Sequence, residues 1–93
     1  MPAEHILKTL PQYWDAVAAG AKTFEVRRDD RGFQKGDTVV LRRVDKDAPW
    51  RFQHPHRDLR FTIGWILTGG QFGLEPGYVV FSLHSAPEAP DAG

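Results

Sequence analysis

The sequence predicts a small α+β domain: a β-barrel with one N-terminal helix packed beside it. Three observations carry this. One stretch alone, from Pro11 to Gly20, repeats its apolar residues at helical spacing. Most of the remaining chain alternates apolar and polar residues between breaks rich in Gly, Asp and Pro. At 93 residues there is material for a single core. Closing several strands into a barrel is the simplest way to remove their exposed edges.

His5-Ile6-Leu7-Lys8 is short and reads as an opening strand. Pro11 suits the first helical turn, where its missing N–H is not needed, and Gly20 suits the left-handed residue that ends a helix. Between them Tyr13, Trp14, Val17, Ala18 and Ala21 recur at helical spacing, giving an amphipathic helix of about ten residues. After Gly20 the period becomes two. Phe24 and Val26 share one side of a strand, Glu25 and Arg27 the other. Turn clusters at Asp29–Gly32 and Lys35–Asp37 lead into a strand over Thr38–Val44, and Asp45–Pro49 is expected to form a hairpin loop. Leu59, Phe61, Ile63, Trp65 and Leu67 then alternate with Arg60, Thr62, Gly64, Ile66 and Thr68, which places Trp65 with Trp14 in the core. A glycine-rich connection from Gly69 to Gly77 joins this strand to a last one over Tyr78–Leu83. The domain is expected to span residues 1–84, and 85–93, a run of Pro, Ala and acids, to be a disordered tail.

Composition excludes several classes of function. With no cysteine, thiol catalysis, disulfide staples and cysteine-ligated zinc are all absent, and the chain fits a reducing, cytoplasmic location. No apolar run approaches the roughly 20 residues that cross a bilayer, and the first residues lack a secretory pattern, so no membrane partner is expected. Net charge is +0, yet residues 22–60 hold eleven of the twelve Lys and Arg against seven acids. A basic centre between acidic flanks suits a face that meets an anionic partner, although edge-guarding lysines and arginines produce the same pattern.

The segment Gly20-Ala21-Lys22-Thr23-Phe24-Glu25-Val26-Arg27 reads G-x-K-x-x-E-x-R at a helix-to-strand junction. It resembles the ASCH domain of the PUA-like superfamily, and more closely its small bacterial and phage branch of unknown function (DUF3850-like). Further blocks match in order: His5-x-Leu7-Lys8, Asp30-Arg31-Gly32-Phe33, Gly36-Asp37, Gly69-Gly70-Gln71-Phe72-Gly73 and Gly77-Tyr78-Val79-Val80. The resemblance implies a PUA-like barrel with a helix beside a cleft, into which the Lys, Glu and Arg of the motif project, and an RNA-linked role. The residues make sense without it as well. Glu25 and Arg27 lie too close for both to be buried unpaired, so they must meet water, each other or Lys22, either as a ligand site or as a salt-bridge cluster tying the helix end to the barrel.

Around this trio, Arg28 and Arg31 are candidate phosphate contacts, and Thr23 and His5, with Lys8 alongside it, candidate cleft residues. The glycine-rich loop is expected to be a tight turn with Phe72 packed on the barrel; the alternative has Gln71 reading the edge of a base and Phe72 stacking on it. That loop lacks the Lys-Ser or Lys-Thr ending of a P-loop. His54-Pro55-His56 offers two imidazoles with no third ligand by spacing, so neither metal nor cofactor is expected. Trp50 reads as an exposed stacking residue and Glu75 as a solvated loop acid. The leading expectation is an RNA or nucleotide-binding module using Lys22, Thr23, Glu25, Arg27, Arg28, Arg31, His5 and Gln71, with the arginines up to residue 60 extending its charge. The alternative is a small hydrolase acting on an acylated nucleoside, or a ribonuclease, with Lys22 and Glu25 as the acid/base pair. In the resembling hydrolases, however, a threonine stands where this chain has Glu25. A third reading is a protein-binding accessory factor that uses Trp50.

Overall fold

In β1 (Glu4–Thr9) the inward positions His5, Leu7 and Thr9 are buried while Glu4, Ile6 and Lys8 face outward, the alternation a half-buried strand requires. This comes from a computed structural model, which describes residues 2–85. The chain then turns at Leu10 into α1 (Pro11–Ala18), with Pro11 in the first turn as expected. Gly20 ends the helix at φ +77°. Its N–H donates to the Val17 carbonyl and that of Ala21 to the Ala16 carbonyl, each at 3.0 Å, the paired bonds that close a helix on a left-handed residue. Trp14 and Val17 face the core, and the Trp14 indole N–H donates to the Leu41 carbonyl at 2.8 Å. Tyr13, grouped with them by spacing, is instead 48% exposed.

Five strands follow: β2 (Phe24–Arg28), β3 (Thr38–Asp45), β4 (Ala48–Phe52), β5 (Asp58–Thr68) and β6 (Tyr78–Ser85). The sheet runs β1-β3-β5-β6-β2, with β4 attached to the end of β3. All neighbours are antiparallel except β1 and β3, which are parallel. The core lies inside this curled sheet and comprises Leu7, Trp14, Val17, Phe33, Val39, Leu41, Ile63, Val79 and Phe81. Removing one of its large side chains would cost roughly 3–5 kcal/mol.

The α+β class stands, but the sheet is not closed into a barrel. Strands β1 and β2 are its two edges and do not pair with each other. Side chains fill the place of the missing ladder. Arg27 of β2 donates to the Lys8 carbonyl (3.0 Å) and the Thr9 hydroxyl (3.2 Å), and Arg31 donates to the Ile6 carbonyl at 2.9 Å. Two arginines therefore strap the edges together across a seam too wide for backbone bonds.

Three local expectations are also corrected. The hairpin loop over residues 45–49 is a two-residue turn, because Asp45 already pairs with Ala48 and Pro49 and Trp50 belong to β4. Trp65 is 65% exposed. Pairing passes from Ile63↔Leu83 to Ile66↔Phe81, so Gly64 and Trp65 together oppose Ser82. This β-bulge turns both outward and brings Ile66 against the core. Phe72 does not pack on the sheet; it is 89% exposed. The expected tail falls on residues outside those described, apart from Ser85, which ends β6. Among the described residues no helix is long and apolar enough to cross a membrane.

Candidate functional site

The open seam is also where the molecule is hollow. A cavity of about 540 Å³ lies between the end of β1, the first turn of α1 and β2, within the size range of small-molecule sites. Lys8, Thr9, Leu10 and Tyr13 line one side, and Lys22 with Phe24 to Arg27 the other.

Strand β2 is inverted relative to an ordinary sheet strand. Its apolar residues Phe24 and Val26 are exposed, whereas Glu25 is only 3% exposed. Glu25 sits opposite Phe81, the most deeply buried aromatic, on the inner face. A carboxylate in such a position needs compensating charge, and two cations supply it. Lys22 Nζ lies 2.6 Å from Glu25 Oε1, and Arg27 Nε lies 2.9 Å from Oε2. Lys22 is placed by the helix ending: its N–H donates to the Ala16 carbonyl, and its ammonium also reaches the Phe24 carbonyl at 2.6 Å. The same ammonium lies 5.7 Å from the Tyr13 ring centre and 5.0 Å from that of Phe24, within cation–π range of both. Lys8 also lines the cavity, but its ammonium is turned to β4, donating to the Trp50 carbonyl and lying over the Phe52 ring. The cavity thus has a polar floor with more positive than negative charge and an aromatic and aliphatic rim of Leu10, Tyr13, Phe24 and Val26. It suits a flat molecule with an anionic group.

Of the candidate site residues, the structure gathers Lys22, Glu25 and Arg27 at this cavity, with Lys8 in its lining, and places the others elsewhere. His5 points into the core, its Nε2–H donating to the Asp37 carboxylate at 2.9 Å with Phe33 packed edge-on against its ring. Burial pushes the Asp37 carboxyl upward, but the hydrogen bonds from His5, Ala3 and Gln34 outweigh it and hold the group below its ordinary value. Thr23 is exposed and contributes its carbonyl to Leu83. Arg28 stacks over Tyr78 at the far end of β2. Arg31 is the strap on Ile6. Gln71 folds back onto the Thr68 carbonyl. His54 and His56 have ring centres 6.4 Å apart, and no cluster of three His, Asp or Glu fit to hold a metal occurs among the described residues.

The basic stretch is largely neutralised locally. Arg42 pairs with Asp58, Arg43 with Asp15, Arg51 with Asp45 and Arg60 with Glu4. Hydrogen bonds from Arg42 and Arg43 lower the carboxyls of Asp58 and Asp15 below their ordinary values. The Asp47 backbone N–H, then Arg51, does the same for Asp45. The wide electrostatic footprint expected from residues 28–60 therefore shrinks to the cavity and a few cations without an ion-pair partner among the described residues. Sequence reasoning missed the aromatic rim. Its signal was Tyr13 one position before Trp14, which cannot share the buried stripe fully with it.

No curated protein matches the chain. A family model described as a domain of unknown function (DUF3850) matches residues 4–83. That match takes in the seam, the cavity and all of the sheet but the last two residues of β6, and the chain belongs to this family.

Proposed function

We propose that the protein binds single-stranded RNA, seating one nucleotide in the cavity at the β1–β2 seam. The observation that carries this reading is Glu25, a buried carboxylate held between Lys22 and Arg27 on the floor of an open pocket with exposed aromatic walls. Neutralising a carboxylate takes one cation; here two meet it, so a surplus of positive charge is left for a phosphate. Tyr13 and Phe24 offer faces on which a base stacks, and Glu25 retains unused lone pairs for a base amino group. The likeness to the ASCH domain, whose motif cleft is linked to RNA, supports the same assignment.

The reading is tested by fluorescence anisotropy with short labelled RNA over a range of salt. Affinity should fall steeply with salt, and Lys22→Ala should weaken binding and reduce the logarithmic salt slope by about one. No binding to any RNA at low salt would overturn it.

The 2.6 Å contact between Lys22 and Glu25 favours a second reading, a hydrolase of acylated nucleosides or RNA, since it lies within proton-transfer reach. That reading requires turnover. Product from acylated cytidine or labelled RNA, absent with Lys22→Ala, would establish it.

A further inference from the structure

Resting on the RNA-binding assignment of the cavity, we infer that the ligand continues out of the seam across the outer face of β2, β6 and β5, where Trp65 stacks a second base. The protein then recognises an oligonucleotide and not a lone nucleotide.

The outer face is built at some cost to present an indole. Regular alternation would send Trp65 inward with Ile63; the bulge at Gly64 and Trp65 sends it out. Three residues shape that bulge. The Ser82 hydroxyl accepts the Trp65 backbone N–H at 2.9 Å, taking the place of a ladder carbonyl. His84 lies 3.2 Å from the same hydroxyl. At Gly64 a side chain has no room, since a Cβ there would fall 2.1 Å from the His84 ring. Nothing in the core gains from the exposed ring. Bulges of this kind serve to re-aim a side chain, and here the ring joins Phe24, Val26, Val80 and Leu67 on one face, a contiguous apolar patch of the kind that marks a contact surface.

The face is continuous with the cavity. Phe24 lines the cavity and pairs across the sheet with Ser82, the residue that anchors Trp65. Two strand spacings, about 10 Å, separate β2 from β5. Between them lie Val80 and Leu67, which pair with each other on the outer side, and Val26, which pairs with Val80.

Charge selects the occupant. Where β2, β6 and β5 run side by side, no outward position carries a carboxylate, while Arg28 stacks over Tyr78 at one end and Lys22 stands over Phe24 at the other. Aromatic faces flanked by cations fit a single-stranded polyanion with stacking bases. A second copy of the chain would bring the same cations against one another.

The test compares a labelled mixed-sequence RNA hexamer with the four nucleoside monophosphates. Trp65→Ala should weaken the hexamer about 5- to 150-fold, the value of one stacked base, and leave mononucleotide affinity unchanged; Trp65→Phe should retain most of the hexamer affinity. Because Trp65 is exposed, both variants should melt with the wild type. If Trp65→Ala binds the hexamer as the wild type does, or loses hexamer and mononucleotide alike, the second stacking position is overturned while the cavity assignment stands. Failure of the wild type to bind RNA of either length overturns both. A concentration-dependent dimer in sedimentation that Trp65→Ala abolishes would assign the face to self-association and overturn the inference.

Discussion

Two buried carboxylates illustrate how differently this small domain handles the same chemical group. Asp37 (3% exposed) accepts from the Ala3 and Gln34 backbone N–H groups and contacts His5. It fastens the chain start, the β2–β3 loop and β1 together. Every bond it makes is internal, so it is structural. Glu25 is equally buried but meets two long, flexible cations at the wall of a cavity, so its partners can be shared with a guest. A carboxylate whose folded value lies below the ordinary one stabilises the protein above about pH 4, where it is ionised in both states. That contribution fades as pH falls through the folded value. Asp37→Asn, which cannot accept all these bonds, should therefore cost about 2 kcal/mol near neutral pH. The gap to the wild type should narrow in acid. Thermal melts from pH 7 down to pH 2 read this directly, and a constant gap would assign the loss to packing.

The β5–β6 hairpin shows where local turn chemistry departs from preference. Gln71 bridges to Leu74, and the two residues between them, Phe72 and Gly73, have φ of +52° and +79°. Such a turn favours Asn-Gly, and a bulky residue in the left-handed region costs roughly 1–3 kcal/mol. Phe72→Asn should thus raise stability by about 1 kcal/mol in urea melts; an unchanged or lower midpoint would show that the ring makes a compensating contact. The helix was legible in the sequence because Pro11 and Gly20 mark its ends by backbone chemistry that tertiary packing does not alter. The faces of the strands were less so. Period-two alternation tells which residues share a side but not which side is inward, and β2 turns its charges in because Lys22 and Arg27 compensate Glu25. Alternation also says nothing of a bulge, so Trp65 read as core. Strand β4 was hidden behind Pro49, which ordinarily argues against a strand and is tolerated here in a short one joined to the sheet only through β3. The trio Lys22, Glu25 and Arg27 was legible because its three charges lie within six residues of each other; Tyr13 reaches the cavity only through the turn between β1 and α1, which no spacing rule encodes.

Taken whole, the molecule is a sheet that curls almost far enough to close and stops at a seam, and the seam is what makes room for the cavity. A closed barrel would pair β1 with β2 and fill the space with backbone bonds. Instead the Ile6 and Lys8 carbonyls accept from Arg31 and Arg27, which identifies these residues as the ones facing the seam. Alternate residues of a strand present their backbone groups to opposite sides, so the neighbouring Leu7 faces β3, with which it is in register at Leu41. Among the described residues the Ile6 and Lys8 N–H groups then have no ladder partner, while that of Leu7 does. Hydrogen exchange followed by NMR should place Ile6 and Lys8 among fast-exchanging amides and Leu7 among those that exchange only through larger openings, with the central β5 and β6 amides slowest. Uniform protection along β1 would mean that the edges pair in solution. In that case the cavity would be shut and the nucleotide site at the seam would have no entrance.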